Sequence, residues 1–143
     1  MIEACIAKGL LADADVTGKL GKYKDTPSIF RKSVVPPKAE YPAILVVPVT
    51  GRDFGTRDQI GGSVQIDVKL FHNRDQKNDK EMRELALAIW QKIDRDDDFD
   101  DIFDEAGFES CGLYADPPID LHDEDGFPGF LIRVRADILV KNS

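Results

Sequence analysis

The residues with the most chemical potential lie between Asp94 and Glu105, in the run DRDDDFDDIFDE. Asp94, Asp96, Asp98, Asp100 and Glu105 fall at positions 1, 3, 5, 7 and 12 of a calcium loop of the EF-hand kind, where oxygen ligands recur at that spacing. Two positions argue against it. The sixth, where a sharp turn calls for glycine, is Phe99, and the apolar eighth is Asp101. Closely packed acids also generate such spacings by composition alone. A solvated acidic loop pinned by Phe99, Ile102 and Phe103 is therefore the favoured reading, with calcium the weak candidate.

Elsewhere the chemistry thins out. Asp123 and Asp125 are paired carboxylates of the kind that acid–base catalysis or a phosphodiester-cleaving metal site would use, but no neighbouring residue supports either role. His72 and His122 are the only histidines, and neither has the HxxxH or HxH spacing that presents two metal ligands together. Each reads as an exposed or turn-stabilising residue. Cys5 and Cys111 lack CxxC spacing, and Cys5 has no histidine near it in sequence, so both read as buried free thiols. No serine sits in a GxSxG elbow. Gly51, Gly55, Gly61 and Gly62 flank Arg52 and Arg57, but they match neither phosphate-loop pattern and precede a strand, not a helix. No catalytic residue, cofactor or metal is expected.

What those glycines do punctuate is TGRDFGTRD, a connection longer than a tight hairpin turn requires. It carries Arg52, Asp53, Phe54, Arg57 and Asp58. An exposed Phe54 among arginines suits a protein interface, where aromatic residues and Arg are favoured.

The elements that would position these residues are legible from periodicity. From Ile60 to Leu70 apolar residues or glycine alternate with Ser63, Gln65, Asp67 and Lys69, a period of two that lays one face of a long strand on a core. Phe130 to Lys141 alternates likewise, with Arg133, Arg135 and Asp137 on the polar side. YPAILVVPV, Tyr41 to Val49, reads as a strand buried on both faces, ending near Pro48. Ser28 to Val35 reads as a strand or extended arm stopped by Pro36-Pro37, and Gly107 to Asp116 as a short strand.

Two helices are expected. Ile2, Cys5, Ile6, Gly9 and Leu10 form a stripe over Met1 to about Ala14, and Met82, Leu85, Ala86, Ile89 and Ile93 form another over about Asp79 to Asp94. Asn78 and Glu81 fit a capping box at the start of the second, and Trp90 lies at the edge of its stripe as a core residue. DVTGKLGKYKDTP and IDLHDEDGFPG read as loops.

At 143 residues the chain is expected to be one domain, residues 1–143, with a core that needs no disulfide. No apolar run is long enough for a membrane span or signal peptide, which suggests a protein made and kept in cytoplasm. The net charge of −8 repels a phosphate backbone and disfavours tight DNA binding, though an acidic surface suits a protein that DNA slides past.

The opening helix MIEACIAKGLLADADV, the strand YPAILVVPV after a proline-rich lead, the connection GRDFGTRD, the strand GGSVQIDVKLF and the helix MRELALAIWQKI occur in that order. In this the chain resembles the tail-completion or tail-terminator proteins, which join head to tail, of long-tailed bacteriophages and prophages. The resemblance implies an α+β fold, a mainly antiparallel four- to five-stranded sheet with two helices packed on one face, assembling as a homo-hexameric ring. It implies a structural virion protein, not an enzyme, that caps the tail tube and joins it to the head. The implied partners are further copies of itself, the tail-tube protein and a head-tail connector or neck protein, with DNA passing the channel without specific binding. Its implied location is the host cytoplasm during assembly and the virion tail or neck afterwards. The alternative is a cytoplasmic metal-binding or regulatory module using the acidic loop 94–105.

Overall fold

A computed structural model describes residues 2–31, 34–49, 61–72, 79–95, 98–122 and 128–140. In chain order these form α1 (Ile2–Leu11), α2 (Ala14–Thr17), β1 (Lys22–Tyr23), β2 (Thr26–Pro27), β3 (Ile29–Phe30), β4 (Ala43–Pro48), β5 (Gly61–Phe71), α3 (Asp79–Arg95), α4 (Asp98–Glu105), β6 (Phe108–Ala115), β7 (Ile119–His122) and β8 (Pro128–Val140). The fold is α+β. Its main sheet has six strands in the order β3-β4-β5-β8-β6, with β7 also pairing β8, and β1 and β2 make a separate hairpin.

The alternation along β5 decides the layering. Val64, Ile66, Val68 and Leu70 are buried and lie opposite Ala136, Val134, Ile132 and Phe130 of β8, so both strands turn one apolar row to the same side. Ile44 and Val46 of β4 pair with Leu70 and Val68 and extend that row. The helices cover it. Their stripes, including Ile6 and Leu10 of α1 and Met82, Leu85, Ile89 and Ile93 of α3, join the sheet residues in one buried cluster. Ala43, Ile44, Leu45 and Val46 are all buried, so β4 is enclosed on both faces as its composition predicts.

Several expectations need correction. The sheet has six strands, not four or five, and two short helices, α2 and α4, join the expected pair. The predicted loop DVTGKLGKYKDTP is ordered: Asp13 caps α2, its Oδ1 accepting from the amides of Asp15 and Val16. A tight hairpin follows, with Lys24 and Asp25 both at positive φ, as a two-residue turn of this kind demands. Among the described residues of the arm from Ser28, Ile29 and Phe30 form β3, which runs parallel to β4. Within IDLHDEDGFPG, Ile119–His122 is a strand on the edge of β8. The expected cap residue Asn78 lies outside the described residues.

The largest correction concerns the acidic run. Asp98–Glu105 is a helix and not a loop. Phe99 and Phe103 are buried in the core cluster with Ile102 packed against it, while Asp100, Asp101, Asp104 and Glu105 are exposed. At 3.6 residues per turn the three apolar residues share one side and the acids the other. Burial of two phenylalanines outweighs the poor helix propensity of aspartate.

Helix α3 meets the outer edge of β6 at Ala115, the last residue of the strand. Trp90 Nε1 donates to the carbonyl of Ala115 at 2.9 Å, and Asp94 Oδ1 accepts from the Ala115 amide at 3.3 Å. The outward backbone groups of Ala115 are thereby unavailable to another strand. Trp90→Phe keeps most of the packing and removes the donor. It is expected to cost about 1 kcal/mol in a urea unfolding titration.

Candidate functional site

Since the helices occupy one side of the sheet, the polar side chains on the other side of β5, β8 and β6 face away from them. Register brings Ser63 opposite Asp137, Gln65 opposite Arg135, Asp67 opposite Arg133, and Tyr114 opposite Arg135 from the β6 side. Ser63, Gln65, Tyr114, Asp116, Arg133 and Arg135 line a concavity of about 650 Å³.

The groove is held by a short polar chain. Ser63 Oγ donates to Asp137 Oδ1 at 2.6 Å, and the same carboxylate oxygen lies 3.6 Å from Arg135 Nε. The Arg135 guanidinium stands 4.7 Å from the centre of the Tyr114 ring, so an anion on one side and an aromatic face on the other orient it. Arg133 is exposed and makes no ion pair with a described residue. Asp67 Oδ1 is buried with no hydrogen-bond partner, whereas Arg133 and Arg135 extend past it into solvent. Exposed Asp116 lines the concavity as well and Asp137 stands half-exposed beside Arg135, so Arg133 is the groove's exposed cation without an ion pair to a described residue. Arg133 can there meet a carboxylate or another anion through its guanidinium donors.

The predicted interface residues Arg52, Asp53, Phe54, Arg57 and Asp58 lie outside the described residues. The anchors of their connection are described. Pro48, the last residue of β4, pairs with Ile66, and the Val49 amide donates to the Gln65 carbonyl at 2.9 Å. The chain rejoins the sheet at Gly61. The connection therefore leaves and re-enters at the end of β5 that carries Ser63 and Gln65 of the groove.

The calcium candidates among the described residues do not converge. Asp94 lies in α3 and supports Ala115, Asp96 is outside the described residues, and Asp98 opens α4. Asp100 and Glu105, five residues apart on a helix, stand about 140° apart around its axis and cannot close on one ion as loop ligands do. Among the described residues no three His, Cys, Asp or Glu side chains are placed to hold a metal.

The remaining candidates fare differently. Asp123 and Asp125 lie outside the described residues, as do the side chains of Cys111 and His122. His72 is buried at the end of β5, where the sequence suggested exposure or a turn, and its amide donates to the Pro128 carbonyl at 3.1 Å. Cys5 is buried in α1, and burial pushes its thiol above the ordinary range, with the charge of Glu3 adding to that against Lys8 and the N-terminal amine. A raised thiol pKa is the opposite of what nucleophilic chemistry needs.

The groove itself is what sequence reasoning misses. Arg133, Arg135 and Asp137 stand out on one strand, but Ser63 and Tyr114 become their neighbours only through strand register. Lys92 is also unexpected: it is buried in α3, with Nζ 4.0 Å from Asp13 Oδ2 and 6.0 Å from the Phe99 ring centre, tying α3 to the cap of α2.

No family model matches this sequence, and no curated protein matches it. Among the described residues no helix is long and apolar enough to cross a membrane.

Proposed function

We propose that the protein is a structural subunit of a bacteriophage tail or neck, which caps the tail tube and joins it to the head as a ring and turns over no substrate. Its partners in this reading are further copies of itself, the tail-tube protein and a head-tail connector or neck protein. It works in the host cytoplasm during assembly and in the virion afterwards. The observation that carries the reading is the geometry at one end of β5. There the long connection TGRDFGTRD is anchored beside a groove of Arg133, Arg135 and Tyr114 on a sheet face that no described helix covers. Arginine and aromatic residues concentrate at protein interfaces, and a rigid strand pair is a firm base for a presented segment. The net charge of −8 supports the DNA part of the reading, because an acidic surface lets a phosphate backbone pass without sticking.

The reading is tested with Phe54→Ala. The variant is expected to unfold at the same urea concentration as the wild type, while its affinity for tail tubes falls by on the order of 2 kcal/mol if Phe54 is an interface anchor. Cosedimentation with cognate tail tubes measures the affinity, and electron microscopy shows whether rings sit at tube ends. Wild-type protein that neither caps tubes nor restores head joining to tails lacking it would sink the proposal.

A further inference from the structure

The charges of this chain are unevenly distributed. Between Asp94 and Asp125 there are fourteen acidic residues and one basic residue, whereas the first 38 residues hold seven basic and four acidic. Helix α4 concentrates part of that negative charge on a rigid surface. Glu105 is met by Lys8 at 3.4 Å, but Asp100 and Asp101 are exposed and make no ion pair with a described residue. The guanidinium of Arg133, exposed and without an ion pair to a described residue, supplies the opposite charge.

These two surfaces cannot meet within one molecule. Phe99 and Phe103 fasten α4 to the buried side of the sheet, and the arginine groove opens on the other side. We infer that the arginine groove of one copy receives the acidic face of α4 from a second copy. The two patches lie on opposite sides of the sheet and cannot both face one partner, so the contact is heterologous. Repetition then yields a closed ring or an open filament, never an isolated twofold dimer. The inference rests on the assembly reading and names the contact that would propagate it.

Charge reversal tests the contact by analytical ultracentrifugation of the full chain, with circular dichroism confirming the fold of each variant. Arg133→Glu, and separately Asp100→Lys/Asp101→Lys, are each expected to weaken self-association at least tenfold. The chain carrying all three changes is expected to recover to within about threefold of wild type, because the carboxylate introduced in the groove then faces the lysines introduced on α4. Raising the salt concentration should weaken the wild-type contact and the restored one alike. Single variants that associate as wild type, or a triple variant no better than the singles, would overturn the contact and leave the assembly reading standing. Wild type that stays monomeric at every concentration and on tail tubes would remove both. If Arg133→Glu leaves association intact but abolishes thermal stabilisation by inorganic phosphate, the groove is a small-anion site and the contact is wrong.

Discussion

Phe99→Ala is expected to cost about 3–5 kcal/mol and to lower the melting temperature by roughly 10–20 °C. Phe99 is 2% exposed, the innermost residue of α4 together with Phe103, and the helix has little else to hold it. Its exposed face is a row of like charges whose mutual repulsion favours the extended chain. Removing the ring should therefore release α4 as a unit, visible as lost amide protection across 98–105 before global unfolding. If the run were only a tethered acidic loop, the loss would stay near about 1 kcal/mol. Gly9 supplies a sharper form of the test. A Cβ at Gly9 would lie 2.3 Å from Phe99 Cε1, so Gly9→Ala overpacks a ring that has nowhere to go. Alanine is nevertheless the better helix former by about 1 kcal/mol. Gly9→Ala should thus destabilise the wild type and stabilise the Phe99→Ala variant, a change of sign that urea titrations of the four proteins would show. Equal effects in both backgrounds would mean that α1 and α4 do not pack through this pair.

Helix α4 also marks where sequence reading reaches its limit. β5, β8, α1 and α3 are legible because each repeats a local period over ten or more residues, and burial follows the period: Val64, Ile66, Val68 and Leu70 turn inward as predicted. The helical signal in the acidic run is present as Phe99, Ile102 and Phe103, within a span of one turn. So short a signal is outweighed by the surrounding acids until tertiary burial is counted. β7 has no period of its own and is a strand because β8 is long enough to carry β6 and β7 along one edge. The arginine groove is illegible for a different reason. It joins Ser63, Tyr114 and Arg135 through register across three strands, and register between segments so far apart in sequence is a global property of the fold.

The same register makes Gly129 the position where one methyl group should do the most damage. Gly129 of β8 sits between Phe71 of β5 and Leu121 of β7, and a Cβ there would lie 2.2 Å from the Leu70 carbonyl oxygen. At Gly9 the obstacle is the end of an aromatic ring, which a second substitution can remove. At Gly129 it is backbone at the end of the β5–β8 ladder, and no side-chain change relieves it. Relief requires β5 and β8 to part at this end, which also strains the bond from the His72 amide to the Pro128 carbonyl. Gly129→Ala is expected to cost about 3 kcal/mol or more, at the upper end for overpacking. The midpoint of urea unfolding should fall with its slope unchanged. The groove lies some six residues away along the same strands, about 20 Å at the rise of a strand. Self-association of the folded variant, measured well below its midpoint, should therefore equal that of wild type. A variant of normal stability would show that the two strands can separate here at little cost, and a stable variant with impaired association would place the assembly contact at this end of the sheet instead of at the arginine groove.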